Sequence, residues 1–321
     1  MESIRSKKFL LLALFVVATS IVWSSQVETN LLKNGNFKQV EIATPNNWIL
    51  GKDVTFNKET NVITASGKAY NVLAQKIVLP AGKEYTVKIK ARKLTNNGSL
   101  GALFLTEPFK GVKEHTIAWK IPLSKNFSDV SFTVKSRGIK QLNIYRTSGA
   151  NSEIEIAEVA LFEGIPNNTI QKVGEKEVTN LIKNPSFNNY SNGSLANWIL
   201  GRNVIHEMSD NTFCITAKNN CYVTLVQDLA LKANKEYTIV VKACNFGKDG
   251  KLGILPQKYE GKKLVEAKSI VWNHPLSNEY KDYTFTFKAP SDKIRLNFYR
   301  LGNKNIPCGI KIAKIILFEG K

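Results

Sequence analysis

The stretch Tyr85-Thr86-Val87-Lys88-Ile89-Lys90-Ala91 places apolar residues at every second position, with polar residues between them. A side-chain period of two is that of a β-strand with one face buried and the other wet. Tyr237, Ile239, Val241 and Ala243 repeat the same buried edge later in the chain. Further strand-like runs cover 132–135, 142–146, 223–229, 283–288 and 310–318. Pro80-Ala81-Gly82, Asn96-Asn97-Gly98, Lys248-Asp249-Gly250 and Gly302-Asn303 punctuate them as turns. Beyond Trp23 no segment of helical length keeps a 3.6-residue apolar stripe. The pattern predicts an all-β chain.

The same unit is written twice. Asn30-Leu31-Leu32-Lys33-Asn34 recurs as Asn180-Leu181-Ile182-Lys183-Asn184, and Asn47-Trp48-Ile49-Leu50-Gly51 as Asn197-Trp198-Ile199-Leu200-Gly201. Lys83-Glu84-Tyr85-Thr86 returns as Lys235-Glu236-Tyr237-Thr238, and Ile121-Pro122-Leu123-Ser124 as His274-Pro275-Leu276-Ser277. Leu142-Asn143-Ile144-Tyr145-Arg146 matches Leu296-Asn297-Phe298-Tyr299-Arg300, and Leu161-Phe162-Glu163-Gly164 matches Leu317-Phe318-Glu319-Gly320. Collinear matches over the whole unit indicate a duplicated domain, with copies at 30–164 and 180–320. The polar segment 165–179, carrying Pro166, Asn167, Asn168 and Gly174, reads as a linker. About eight to ten short strands in each copy predict two tandem β-sandwiches of jelly-roll type.

Before the first copy, Arg5, Lys7 and Lys8 precede an apolar stretch from Phe9 to Trp23, interrupted only by Thr19 and Ser20. A basic start and a short apolar run have the form of a secretory signal, assigned here to residues 1–25. As a helix the run would span about 22 Å, short of the ~30 Å hydrocarbon core. An uncleaved anchor is the alternative, and would be the chain's only membrane contact. Both place the remainder outside the cytoplasm: secreted, periplasmic or at the cell surface.

The opening Asn30–Phe37, the Trp48 and Gly51 pair, the Gly82–Thr86 strand and the closing Ile156–Glu163 together resemble CenC-type carbohydrate-binding modules. These are galactose-binding-like jelly rolls, often in tandem and often attached to bacterial glycoside hydrolases. The resemblance implies the sandwich and a carbohydrate ligand. Members often close on an acidic Ile-Asp-Asp-Val step. Here that step is Ile156-Ala157-Glu158-Val159 and Ile312-Ala313-Lys314-Ile315. A structural calcium held by those acids is therefore in question, and no other cofactor is expected. All four cysteines lie in the second copy. In an exported protein they predict disulfides. Cys214 and Cys221 flank an apparent hairpin turn at 215–220, and antiparallel pairing as in the related jelly rolls would bring Cys244 to Cys308. Four buried free thiols are the alternative.

Sugars are held by aromatic faces and planar polar groups. Along 141–146, Leu142, Ile144 and Arg146 share one strand face, and Gln141, Asn143 and Tyr145 the other. Leu296, Phe298 and Arg300 against Arg295, Asn297 and Tyr299 repeat the scheme. Tyr145, Asn143, Tyr299 and Asn297 are the first candidates for a sugar platform. Trp119 and Trp272 follow, with Gln75, Gln227, Arg146 and Arg300 as hydrogen-bonding partners. Trp119 alternates with Ile117 and Ile121, so core and site both remain open for it. Trp48 and Trp198 read as packing residues.

No nucleophile elbow, phosphate loop or His-Glu-x-x-His motif is present. His115, His206 and His274 occupy no ligand spacing. Glu107, Glu114, Glu260 and Glu266 read as solvated carboxylates, with nothing selecting a catalytic pair. The chain of 321 residues carries Lys+Arg 45 against Asp+Glu 26, a formal +19. The excess is spread as +8 over the first copy and +9 over the second, without an Arg-rich groove. That favours anionic partners by long-range attraction and argues against nucleic acid. The expected function is a monomeric, exported, non-catalytic protein binding poly- or oligosaccharide, anionic glycans included, through two modules. The rival readings are a structural or adhesive envelope protein whose sandwiches bind protein, and, more distantly, a hydrolase accessory or jelly-roll hydrolase.

Overall fold

The computed structural model describes residues 29–106, 116–164, 170–191, 194–209, 211–218, 221–303 and 308–321. The expected leader, Glu107, Glu114, His115 and positions 165–169 lie outside the described residues. Among those described, every regular element long enough to matter is a strand, and no helix is long and apolar enough to cross a membrane.

Each copy folds as a sandwich of two antiparallel sheets. In the first lobe the back sheet runs Ser128–Lys135, Glu84–Lys93, Ile154–Glu163, Val62–Ala65, Val54–Asn57. The front sheet runs Ile49–Leu50, Asn71–Leu79, Ile139–Arg146, Ser99–Leu105, Thr116–Pro122. Most connections cross from one sheet to the other, as in a jelly roll. The second lobe repeats the plan. Its back sheet is Lys281–Lys288, Glu236–Gly247, Cys308–Glu319, Thr212–Lys218, Val204–Ser209. Its front sheet is Ile199–Leu200, Val223–Ala230, Lys293–Leu301, Lys251–Glu260, with Lys263–Glu266 and Val271–Pro275 both pairing the last of these.

The alternating residues fill the space between the sheets. Tyr85, Val87, Ile89 and Ala91 are all buried, as are Tyr237, Ile239, Val241 and Ala243. Many of the duplicated polar residues are clips rather than site groups. Asn30 Oδ1 accepts from Leu32 N at 3.0 Å and Leu161 N at 2.9 Å, tying the opening segment to the last strand. Asn180 does the same for Ile182 and Leu317. Asn34 and Asn184 adopt the left-handed conformation, at φ 50° and 53°, which Asn tolerates well. Their carbonyls accept the indole N–H of Trp48 and Trp198, each at 2.9 Å, and both indoles pack as expected.

The second lobe adds a strand to the first. Asn189–Ser191 lies parallel to the edge strand Ser128–Lys135, pairing Ser131 with Asn189 and Phe132 with Tyr190. Asn211 Oδ1 accepts from Ser124 Oγ at 3.0 Å and Lys125 N at 3.1 Å. Within the expected linker, Ile170–Val173 and Lys176–Thr179 form a hairpin whose Val173 and Val178 pack on Val240, Ile316 and Phe318.

The expected disulfides are not seen: all four cysteines are buried and none is joined to another. The turn inferred at 215–220 is instead strand through Lys218, so Cys214 faces Glu207 across its ladder. Cys221 lies beyond the strand end and its Sγ points to Val223 O at 3.0 Å. Cys244 pairs with Lys311 while Cys308 pairs with Gly247, which puts the second expected couple out of register.

Tyr190 carries the lobe junction into a buried aromatic group. Its ring meets Phe132 at 6.0 Å and His206 at 5.4 Å, and His206 stacks on Phe213 at 5.5 Å. Burial pushes the His206 imidazole down to about 4, against smaller upward effects of a hydrogen bond to the Phe187 backbone and the Glu207 charge. The folded chain thus holds this ring neutral where the unfolded chain protonates it near its ordinary ~6.5. Between those values the unfolded state binds more protons, so His206 stability is complete above pH ~6.5 and is lost progressively as pH falls toward ~4. Urea midpoints measured from pH 7 to pH 4 should fall more steeply for the wild type than for His206→Phe. Parallel curves would contradict the assignment.

Candidate functional site

The Tyr-Arg dipeptide that occurs at 145–146 and 299–300 organises both candidate sites. Strand alternation turns the arginine inward and the tyrosine outward. Arg146 is buried, and its guanidinium donates to Ala69 O at 2.8 Å, Gly149 O at 2.6 Å, Ser152 O at 2.9 Å and Ser152 Oγ at 2.6 Å, and to Gly67 O. Arg300 repeats the arrangement, donating to Cys221 O at 2.8 Å and to Cys308 Sγ at 2.7 Å. Each arginine therefore anchors the loop just before a front-sheet strand. Its own N–H also bonds the next residue of that loop, Tyr70 O or Tyr222 O, at 2.9 Å in both lobes.

Those anchored loops present the exposed rings. Tyr70 packs on Tyr145 at 5.2 Å and on Trp119 at 6.1 Å, and Trp119 lies 5.6 Å from Tyr145. In the second lobe Tyr222 lies 5.0 Å and Trp272 5.2 Å from Tyr299. Tyr70 is 57% exposed, Tyr222 55% and Trp272 41%. Each lobe thus carries a cluster of three aromatic rings that is partly open to solvent.

A β-bulge and a glycine seat each tryptophan. Lys120 and Asn273, directly after Trp119 and Trp272, are left-handed at φ 57° and 58°, and the ladders shift register there. The shift breaks the alternation of Ile117, Trp119 and Ile121. Ala118 and Ile121 enter the core while Trp119 goes to the outer face. The ring then lies over Gly101, where an added Cβ would sit 2.6 Å from Trp119 Cε3; at Gly253 it would sit 2.9 Å from Trp272 Cε3. Only glycine leaves room for the indole.

The remaining predicted residues divide clearly. Asn143 and Asn297 do lie on the outer face beside the tyrosines but are buried there. Gln141 Nε2 donates to Asn143 Oδ1 at 2.6 Å and Asn143 Nδ2 to Tyr145 Oη at 2.9 Å, so a chain of amides supports the ring. Asn297 donates to Leu255 O, Gln257 Oε1 and Arg295 O. Tyr299 is covered by its aromatic neighbours and packs with Leu255, Leu301 and Val223. Gln75 and Gln227 sit apart from the rings. Lys33 N donates to Gln75 Oε1 at 2.8 Å and Gln75 Nε2 to Lys33 O at 2.9 Å, with Lys183 and Gln227 matching them. Tyr70 and Tyr222 were not singled out from the sequence. Their equivalent positions ahead of Asn71–Leu79 and Val223–Ala230 were the available signal.

No protein-family profile matches the chain, and a sequence search of curated proteins finds no match. Among solved structures the chain is similar to the tandem CBM22-1-CBM22-2 domain of Paenibacillus barcinonensis Xyn10C, at 10% identity over 93% of this chain and 99% of that one, TM-score 0.35. It is also similar to a CBM4 structure, at 16% identity over 43% and 99%, TM-score 0.34. A third is TmCBM61 in complex with β-1,4-galactotriose, at 18% identity over 44% and 99%, TM-score 0.30.

Replacing Gln227 by Leu leaves both backbone groups of Lys183 without their partner at a part-buried position. That should lower unfolding free energy by about 1 kcal/mol while leaving ligand affinity of the folded protein unchanged. Chemical denaturation and titration of the same sample check both halves. Lost affinity at unchanged stability would return Gln227 to the site.

Proposed function

We propose that this is an exported, non-catalytic carbohydrate-binding protein whose two lobes each offer an aromatic platform to a glycan. The observation that carries the reading is the twofold construction of one feature. A tyrosine on an anchored loop, a tyrosine on the central front strand and a tryptophan on a bulge over glycine meet in both lobes. Sugar rings present an apolar face that stacks on such rings, and their hydroxyls bond nearby amides and phenols. Tyr70, Tyr222 and Trp272 have the accessible faces; Tyr145, Tyr299 and the amides behind them hold those faces in place. The basic start and the apolar run 9–23 support export. Two modest sites on one chain gain avidity on a polymer that presents repeated units.

Affinity electrophoresis against a panel of neutral and acidic polysaccharides tests this directly. Tyr70→Ala and Trp119→Ala, or Tyr222→Ala and Trp272→Ala, should each weaken binding about tenfold per ring, and the four together should abolish it. A protein that no polysaccharide retards, or that binds equally well without the four rings, would instead fit an adhesive sandwich that binds protein.

A further inference from the structure

The two front sheets carry equivalent aromatic clusters but opposite charge arrangements beside them. In the first lobe Gln141 pairs across the ladder with Lys76, and in the second the equivalent pair is Arg295 with Asp228. Arg295 and Asp228 neutralise one another through two bonds, at 2.8 and 2.9 Å, and Tyr259 Oη donates to the same carboxylate at 3.2 Å. Arginine beside the carboxylate holds Asp228 below the usual range, so the pair stays ionised and closed. Lys76 has no such partner. It lines an open groove of about 790 Å³ together with Lys33, Lys140, Ile49 and Val78. None of the three lysines is in an ion pair among the described residues. Lys140 sits at a register shift between Ile139 and Gln141, whereas Lys293, Ile294 and Arg295 pair regularly, so the second lobe has the buried Ile294 in its place.

Lys76 lies on the same front sheet as the first lobe's platform, paired with Gln141 of the strand that carries Tyr145. Tyr145 and Gln141 stand four residues apart on one strand, about 13 Å at the usual rise. A glycan lying along that strand from the Tyr70, Trp119 and Tyr145 rings therefore reaches Lys76 and Lys140. We propose that the first lobe selects acidic polysaccharide, its lysine groove binding the carboxylates of uronate residues, while the self-paired second lobe takes neutral sugar. The inference rests on the glycan-binding reading of the same face.

The test uses the full chain with polygalacturonate, alginate and glucuronoxylan, each beside its carboxyl-reduced form, at about 50 mM and about 500 mM NaCl. At low salt an acidic form should bind about tenfold more tightly than its reduced form. That preference should collapse in Lys76→Glu/Lys140→Glu and at high salt. It should persist in Trp272→Ala/Tyr222→Ala, which removes only second-lobe rings. Equal binding of acidic and reduced forms, or a preference that survives charge reversal, overturns the lysine groove but leaves the aromatic reading standing. If no polymer binds in either form, the glycan reading itself fails, and this inference with it.

Discussion

A buried guanidinium that finds acceptors on two segments at once is the contact on which the upper end of each sandwich depends. Arg146 ties the loop at 67–69 to the loop at 149–152, and an arginine buried without those acceptors would be strongly unfavourable. Burial also lowers its pKa, although it stays charged at any ordinary pH. Because Tyr70 follows Ala69 directly, the bonds that satisfy the charge also fix the position of an exposed ring. The lobe thus converts a core requirement into surface geometry. Arg300 does the same for Tyr222, with Cys221 and Cys308 standing where the first lobe has Ala69 and Ser152.

Duplication obscures function as readily as it exposes structure. The two copies share Asn30, Asn34, Gln75, Trp48 and Arg146, and each of these keeps its hydrogen bonds inside the fold. Repetition of a residue therefore reports a shared framework first. What separates the platform from that framework is exposure: Tyr70, Tyr222 and Trp272 pack on one face only and leave the rest open to solvent, and the same cluster is nonetheless built in both lobes.

Period-two alternation, turn residues and the collinear repeat made the two sandwiches legible in the sequence. Alternation also put Gln141, Asn143 and Tyr145 on the outer face, where they are found. It left Trp119 open between core and surface because a bulge inserts a residue and resets the face of everything after it. It missed Tyr70 and Tyr222 because an anchored loop has no period to read. The cysteine pairing misled for a related reason: strand ends moved by a few residues, and ladder register decides which side chains meet. The hairpin at 170–179 escaped because its few apolar residues find their partners on another element.

The account turns on whether the two aromatic clusters are where a glycan sits. Tyrosine and tryptophan ring resonances followed by NMR during titration with an oligosaccharide give the most direct answer. The rings of Tyr70, Trp119 and Tyr145, and of Tyr222, Trp272 and Tyr299, should shift together and saturably, while the buried indole of Trp198 stays still. Saturable binding that leaves all six rings unmoved would contradict the central claim.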